Sequence, residues 1–362
     1  MKYFLLCKKC GNEFSSNSKI WRCSSCGGLI DIVIDIKSVK IDNYYNKTDS
    51  ILKYRFLLPV DEDRNIVTFN EYFTPINTIN DNNFGEIYLK SDYLFTTGSF
   101  KDRGALTLIS KIKELGVDEI VEDSSGNAGT AIATYSAYAG IKCEIFLSSS
   151  TSKAKISQIE NTGAKVIIID GNRDILSQKT LMRAERLYYA SHSWNPYFFH
   201  GTKTVAYEIY EQFKNVLPDT IFVPAGNGTL LIGLYIGFKE LAELRLIDKF
   251  PRLVAVQTKS CSPLFNKWSN IDNEVEFNSV ADGIAVGSPV RIDDMLSAVR
   301  STGGFVISVT DDEIFYAYNQ LLKRGFFVEP TAAVGLAGVY KSVSIIKPLV
   351  ILTGHGLKKP YL

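Results

Sequence analysis

The chain repeats one pattern: short, nearly continuous apolar runs, each followed by a stretch with helical spacing. The runs are Ile87–Leu89, Glu119–Glu122, Cys143–Leu147, Lys165–Ile169, Thr220–Val223, Arg252–Val256, Phe305–Val309 and Leu349–Leu352. Between them lie Gly104–Leu115, Gly129–Ala139, Thr204–Phe213, Leu230–Leu241 and Asp311–Lys323. Strands that are apolar throughout are buried on both faces, and strands alternating with helices pair in parallel. The expected class is therefore α/β, with two Rossmann-like layers. At 362 residues and 46% hydrophobic composition, the chain can fill two or three domains.

Forty basic against 39 acidic residues leave a formal charge of +1, which argues against a nucleic-acid partner. No apolar run approaches the ~20 residues that span a bilayer, so no membrane partner is expected. Met1 to Leu6 meets Cys7 and Lys8 before a signal core can form, and the expectation is a soluble, cytoplasmic protein.

Four of six cysteines form two pairs, Cys7-Lys8-Lys9-Cys10 and Cys23-Ser24-Ser25-Cys26. Two intervening residues let a tight turn aim both sulfurs at one ion, and Gly11 and Gly27-Gly28 suit such knuckles. Residues 1–36 read as a ribbon holding structural Zn2+, with no open coordination position for catalysis. A disulfide pair or a ribbon without metal are the alternatives. Cys143 and Cys261 read as thiols without a role.

Three loops fall where strand meets helix. Ala225-Gly226-Asn227-Gly228-Thr229 follows one strand and opens a helix, which suits a phosphate held by backbone amides and the positive helix end. It fits neither a Walker nor a dinucleotide fingerprint, and alone it is equally a glycine-rich turn. Asp123-Ser124-Ser125-Gly126-Asn127-Ala128-Gly129 could hold a carboxylate, or simply cap a helix. In Thr97-Gly98-Ser99-Phe100-Lys101-Asp102-Arg103-Gly104 a lysine begins a helix, which alone means no more than an exposed helix start.

Together these are the parts of an amino-acid enzyme that uses pyridoxal phosphate. The runs 97–104, 124–129 and 226–230, with Val328-Glu329-Pro330-Thr331-Ala332-Ala333 and Leu352-Thr353-Gly354-His355-Gly356-Leu357-Lys358, resemble the threonine synthase family in order and spacing. The cysteine ribbon is similar to one that many relatives carry. The resemblance implies the tryptophan synthase beta-like fold of type II pyridoxal enzymes. It implies a large cofactor-binding domain of residues 37–84 and 173–362, and a small mobile domain of residues 85–172 that closes on substrate. It makes Lys101 the catalytic lysine to which the cofactor attaches, and Asn127 the partner of the ring hydroxyl. Ser124, Ser125, Asn127 and Ala128 would hold the substrate carboxylate. Gly226, Asn227, Gly228 and Thr229 would cradle the phosphate, and Thr353 would meet the ring nitrogen. Glu329 and Pro330 would be architectural, and His355 a structural hydrogen-bonder. A homodimer acting on a small amino-acid substrate follows by the same resemblance.

Two places depart from the family pattern: the Glu-Gly that many relatives carry before Thr-Pro is here Glu71-Tyr72-Phe73-Thr74-Pro75, and the second bears on the substrate. Where relatives commonly carry an arginine after Asn-Pro-aromatic, this chain has Phe198, within Asn195-Pro196-Tyr197-Phe198-Phe199-His200-Gly201-Thr202-Lys203. Lys203, Lys155, His192 and His200 are candidate replacement cations for the phosphate of O-phosphohomoserine, with Lys203 carried as the substrate-binding expectation. The expected activity is conversion of O-phosphohomoserine and water to threonine and phosphate. The alternatives are β-replacement on a serine derivative, as in cysteine or cysteate synthases, serine/threonine dehydration, and a non-catalytic pyridoxal-binding protein. The ribbon is expected to brace the large domain or a dimer.

Overall fold

The computed structural model describes residues 3–39, 49–149, 151–170, 173–214, 216–343 and 345–358. Residues 40–48 of the expected large domain, and its expected boundary at 172, lie outside the described residues. Contacts gather the chain into two units, Met1–Glu71 with Lys101–Thr202, and Tyr72–Phe100 with Lys203–Leu362.

In the first unit a four-stranded parallel sheet runs in the order Lys165–Ile169, Lys142–Ser148, Glu119–Glu122, Tyr188–Tyr189. Its helices include Lys101–Glu114, Asn127–Ala139 and Pro196–Thr202. Helix Lys101–Glu114 buries Ala105, Leu106, Leu108, Ile109 and Ile112 completely. It comes unusually close to Pro196–Thr202, because neither helix carries a side chain at the crossing. A Cβ on Gly104 would fall 2.3 Å from the Phe198 ring, and one on Gly201 would fall 2.1 Å from the Arg103 carbonyl oxygen.

The ribbon is a three-stranded antiparallel sheet in the same unit, with Tyr3–Cys7 between Glu13–Ser15 and Ile30–Ile34. Each knuckle closes through a glycine amide, Gly11 onto the Cys7 carbonyl and Gly27 onto that of Cys23, both glycines with φ near +70° (74° and 68°). The ribbon packs on the lysine-bearing helix: Lys111 Nζ donates to the Tyr3 hydroxyl at 2.7 Å. The sequence expectation had tied it to the large domain or a dimer. It also meets residues 188–197, which the sequence reading counted in the large domain: Trp21 packs on Tyr189 and Trp194, and the hydroxyls of Tyr188 and Tyr197 donate to the Ile20 and Ser16 carbonyls.

The second unit holds a six-stranded sheet in the order Val306–Val309, Arg252–Thr258, Thr220–Pro224, Pro348–Ile351, Gly85–Lys90, Ile76–Asp81. All pairs are parallel except the last, which is antiparallel. The central strands are buried end to end, as their unbroken apolar sequence requires. Helix Pro330–Lys341 covers them, packing Ala332, Ala333, Leu336 and Ala337 into a core with Phe222, Val254, Val256 and Val350.

Strand pairing decides which segments the contact units hold. Gly85–Lys90 belongs to the second unit because it pairs with Pro348–Ile351. Tyr188–Tyr189 belongs to the first because it pairs with Glu119–Glu122.

Candidate active site

In the first unit, Lys101 is the first residue of helix Lys101–Glu114, half-buried, with Nζ 5.7 Å from the centroid of the buried Phe198 ring. Strand Glu119–Glu122 delivers the second loop. Ser124 Oγ accepts from the Gly126 amide at 3.3 Å, and helix Asn127–Ala139 begins without a side-chain cap. A helix start of this kind carries partial positive charge, which suits an anion. Ser124, Ser125 and Asn127 are half-buried and Ala128 is buried.

Behind this loop stand Glu122, which the sequence reading did not single out, and His192, which it carried as a candidate cation. Glu122 is fully buried, its Oε1 2.7 Å from His192 Nδ1, its Oε2 without a hydrogen-bond partner. Burial pushes its carboxyl well above the ordinary range, Asp123 adds to the push, and Lys101 opposes it. The His192 ring meets Phe198 edge-on, at 6.0 Å between centroids. The signal was present: an acidic residue closes the run Glu119-Ile120-Val121-Glu122 just where the other strands end on apolar residues.

In the second unit, loops 225–229 and 352–355 leave the carboxyl ends of two adjacent parallel strands, in register through Thr220↔Pro348 and Phe222↔Val350. Ligands of open α/β sheets bind at such strand ends. Gly228 sits at φ +77° as the N-cap of helix Thr229–Glu243 and offers no side-chain cap. The Cβ of any other residue there would fall 2.3 Å from Met295 Sδ. Thr353 Oγ1 is buried with no hydrogen-bond partner. An uncapped helix start and an orphaned hydroxyl on neighbouring strand ends fit the phosphate and ring nitrogen of pyridoxal phosphate.

The remaining candidates divide. Lys203 is fully buried with Nζ 2.8 Å from Glu240, which also accepts from the Tyr207 hydroxyl, so its charge meets a carboxylate within the second unit. His355 donates its amide to the Gly98 carbonyl and accepts the Leu357 amide on Nδ1, which is turn-building. Glu329 caps helix Pro330–Lys341 and bonds the Gly354 carbonyl through its amide. In the ribbon, the sulfurs of Cys7, Cys10, Cys23 and Cys26 all lie within 4.8 Å of one another, with Cys7–Cys26 at 3.5 Å and Cys10–Cys23 at 3.7 Å. Four thiolates around one tetrahedral ion stand about 3.7 Å apart, so the donor set fits a metal.

A family profile described as "Pyridoxal-phosphate dependent enzyme" matches residues 67–354. The threonine synthase of Methanosarcina acetivorans is 36% identical, over 99% of this chain and 93% of its own length. That of Methanocaldococcus jannaschii is 34% identical, over 98% and 92%. The chain belongs to the threonine synthase family of pyridoxal-phosphate-dependent enzymes. The fold agrees: maize serine racemase superposes with a TM-score of 0.66 at 23% identity, covering 79% of this chain and 88% of its own. Threonine deaminase isoform 2 of Solanum lycopersicum gives 0.68 at 19%, covering 86% and 87%. As a member of the threonine synthase family, the chain is a pyridoxal-phosphate-dependent lyase of fold type II.

Proposed function

We propose that the protein converts O-phosphohomoserine and water to threonine and inorganic phosphate. The observation that carries this reading is the match to threonine synthases along almost the whole chain, ribbon included. Pyridoxal phosphate, when bound, supplies the electron sink that acidifies the carbon bearing the amino group. The chain's own residues do the rest. Lys101 Nζ carries the proton taken from the α-carbon and returns protons at the later carbons. Ser124, Ser125, Ala128 and the amides opening helix Asn127–Ala139 orient the substrate carboxylate, while Asn127 meets the ring hydroxyl. Gly226, Asn227, Gly228 and Thr229 hold the cofactor phosphate on the opening of helix Thr229–Glu243. Thr353 Oγ1 meets the ring nitrogen; a neutral hydroxyl there leaves that nitrogen unprotonated, which favours elimination over transamination.

In the same reading Cys7, Cys10, Cys23 and Cys26 hold a structural Zn2+, and the protein is a cytoplasmic homodimer. Among the described residues no helix is long and apolar enough to cross a membrane. The test of function is amino-acid analysis after mixing pyridoxal-loaded protein with O-phosphohomoserine. Threonine and phosphate in equal amounts are expected. Turnover of phosphoserine or acetylserine with sulfide, and none of O-phosphohomoserine, would sink the proposal.

A further inference from the structure

The ribbon touches the first unit at a point one residue from the loop that the proposed function gives to the substrate carboxylate. Trp21 stands two residues before Cys23 and is only 7% exposed. Its ring lies edge-on between Tyr189, at 5.0 Å and 90°, and Trp194, at 5.6 Å and 87°. Tyr189 is 2% exposed and ends the strand that pairs with Glu119–Glu122 through Val121. Its hydroxyl donates to Asp123 Oδ1 at 2.9 Å, and Asp123 directly precedes Ser124. Burial, Asp123 and Glu122 hold that hydroxyl protonated, so it remains a donor. Two further tyrosines fix the contact: the hydroxyl of Tyr188 donates to the Ile20 carbonyl at 3.3 Å, and that of Tyr197 to the Ser16 carbonyl at 3.3 Å.

A ribbon of about this size has too little core to hold its shape without its ion. Trp21 is therefore in place only when the four cysteines are tied together. Without it the Tyr189 ring loses one packing face, and its hydroxyl loses the constraint that aims it at Asp123.

We propose that Tyr189 is a positioning residue that couples the ribbon to the Ser124–Gly129 loop, so that metal occupancy of the four cysteines sets how firmly the loop holds a substrate carboxylate. The proposal rests on the assignment of that loop to carboxylate binding. It differs from a merely structural ribbon, whose loss lowers stability and leaves ligand binding alone. Adjacency by itself does not demonstrate coupling, so the test is a cycle of two perturbations.

Full-length protein loaded with cofactor and metal is compared with the same protein after chelation, in wild type and in Tyr189→Phe. That variant keeps the ring against Trp21 and removes only the hydroxyl. Hydrogen exchange of the amides at 123–129 is read first, because it needs no ligand; L-threonine affinity is read second, from the cofactor absorbance. Chelation and Tyr189→Phe should each raise exchange at 123–129 and each weaken L-threonine by ~5–10-fold, the scale of one lost hydrogen bond to a charged group. Chelating the variant should add less than about twofold, because both changes cut the same link. In metal-loaded Tyr189→Phe, residues 3–34 should stay protected. The proposal is overturned if the two effects multiply, if chelation raises exchange only within residues 1–36, or if the protein keeps a protected loop without metal. Failure of the proposed function would show separately, as turnover of phosphoserine or acetylserine with sulfide and none of O-phosphohomoserine.

Discussion

Lys101 Nζ lies 5.7 Å from the centre of the Phe198 ring, and that ring fills the space where Gly104 has no side chain. A ring at this range attracts an ammonium without hydrogen-bonding it. The position that relatives commonly give to an arginine is here a buried apolar floor beside the lysine. The contact also depends on the bare Cα of Gly104, so it can be broken from the helix side.

Gly104→Ala should destabilise the protein by ~1–3 kcal/mol, the usual cost of forcing a methyl into a packed site. It should weaken pyridoxal phosphate binding as well, because Phe198 has to move from beside Lys101. Urea unfolding and cofactor titration measure the two effects; unchanged cofactor affinity in a destabilised variant would separate the ring from the lysine.

Lys101→Ala should remove the visible absorbance of lysine-bound cofactor and lower turnover by ~10²–10⁴-fold or more, since the amine both attaches the cofactor and moves protons. An absorption spectrum identical to wild type would sink the assignment of this lysine.

Cys10→Ser should lower bound zinc and reduce the melting temperature by at least ~4 °C, because metal affinity of a small ribbon is folding free energy. Turnover at saturating substrate should stay within about twofold, while KM rises if the Tyr189 link holds. Zinc is read by metal analysis and melting by calorimetry. Collapse of turnover in folded protein would place the ribbon closer to the reacting atoms than the Asp123 contact implies.

Acid should act on the four-stranded sheet through Glu144. The hydrogen bond from Arg183, at 2.6 Å, holds this carboxyl below its ordinary range against the opposing effect of burial, and Lys165 at 3.0 Å adds to the lowering. A depressed folded value means that the unfolded chain binds the proton more readily. The stabilisation is therefore complete above the unfolded value of ~4.3 and is lost as pH falls through the folded one. Melting curves from pH 7 to pH 3 should show wild type losing its advantage over Glu144→Gln across that acid range. A constant difference between the two would contradict the pairing.

How much of this was legible in the sequence varied with how local the cause was. Unbroken apolar runs located the central strands, and helical spacing located Asp311–Lys323, to which the structure adds a capping box of Thr310 and Glu313. Strand Ile76–Asp81 is not among the runs read from the sequence: it is an edge strand in which Ile79 alone is buried, so it carries no apolar stripe. The division into contact units is not a local property, since pairing of Gly85–Lys90 with Pro348–Ile351 is a contact across more than half the chain. Around the site, Lys101, the loops and the cysteines were legible as motifs. Tyr189 was not, because its role depends on a partner distant in sequence; Glu122 left only the acidic end of its run as a signal, and His192 was read as a candidate cation without the carboxylate that the fold sets beside it. Lys203 was read as a candidate cation for substrate phosphate, and only the fold reveals Glu240 beside it.

The most direct test of the central claim is to run the reaction on O-phosphohomoserine in water labelled with heavy oxygen. Elimination breaks the bond between the γ-carbon and oxygen, so phosphate leaves with the substrate's own oxygen and water adds at the β-carbon. The account predicts threonine labelled in its hydroxyl and phosphate without label. Labelled phosphate accompanied by homoserine would mean simple hydrolysis of the ester, and would contradict it.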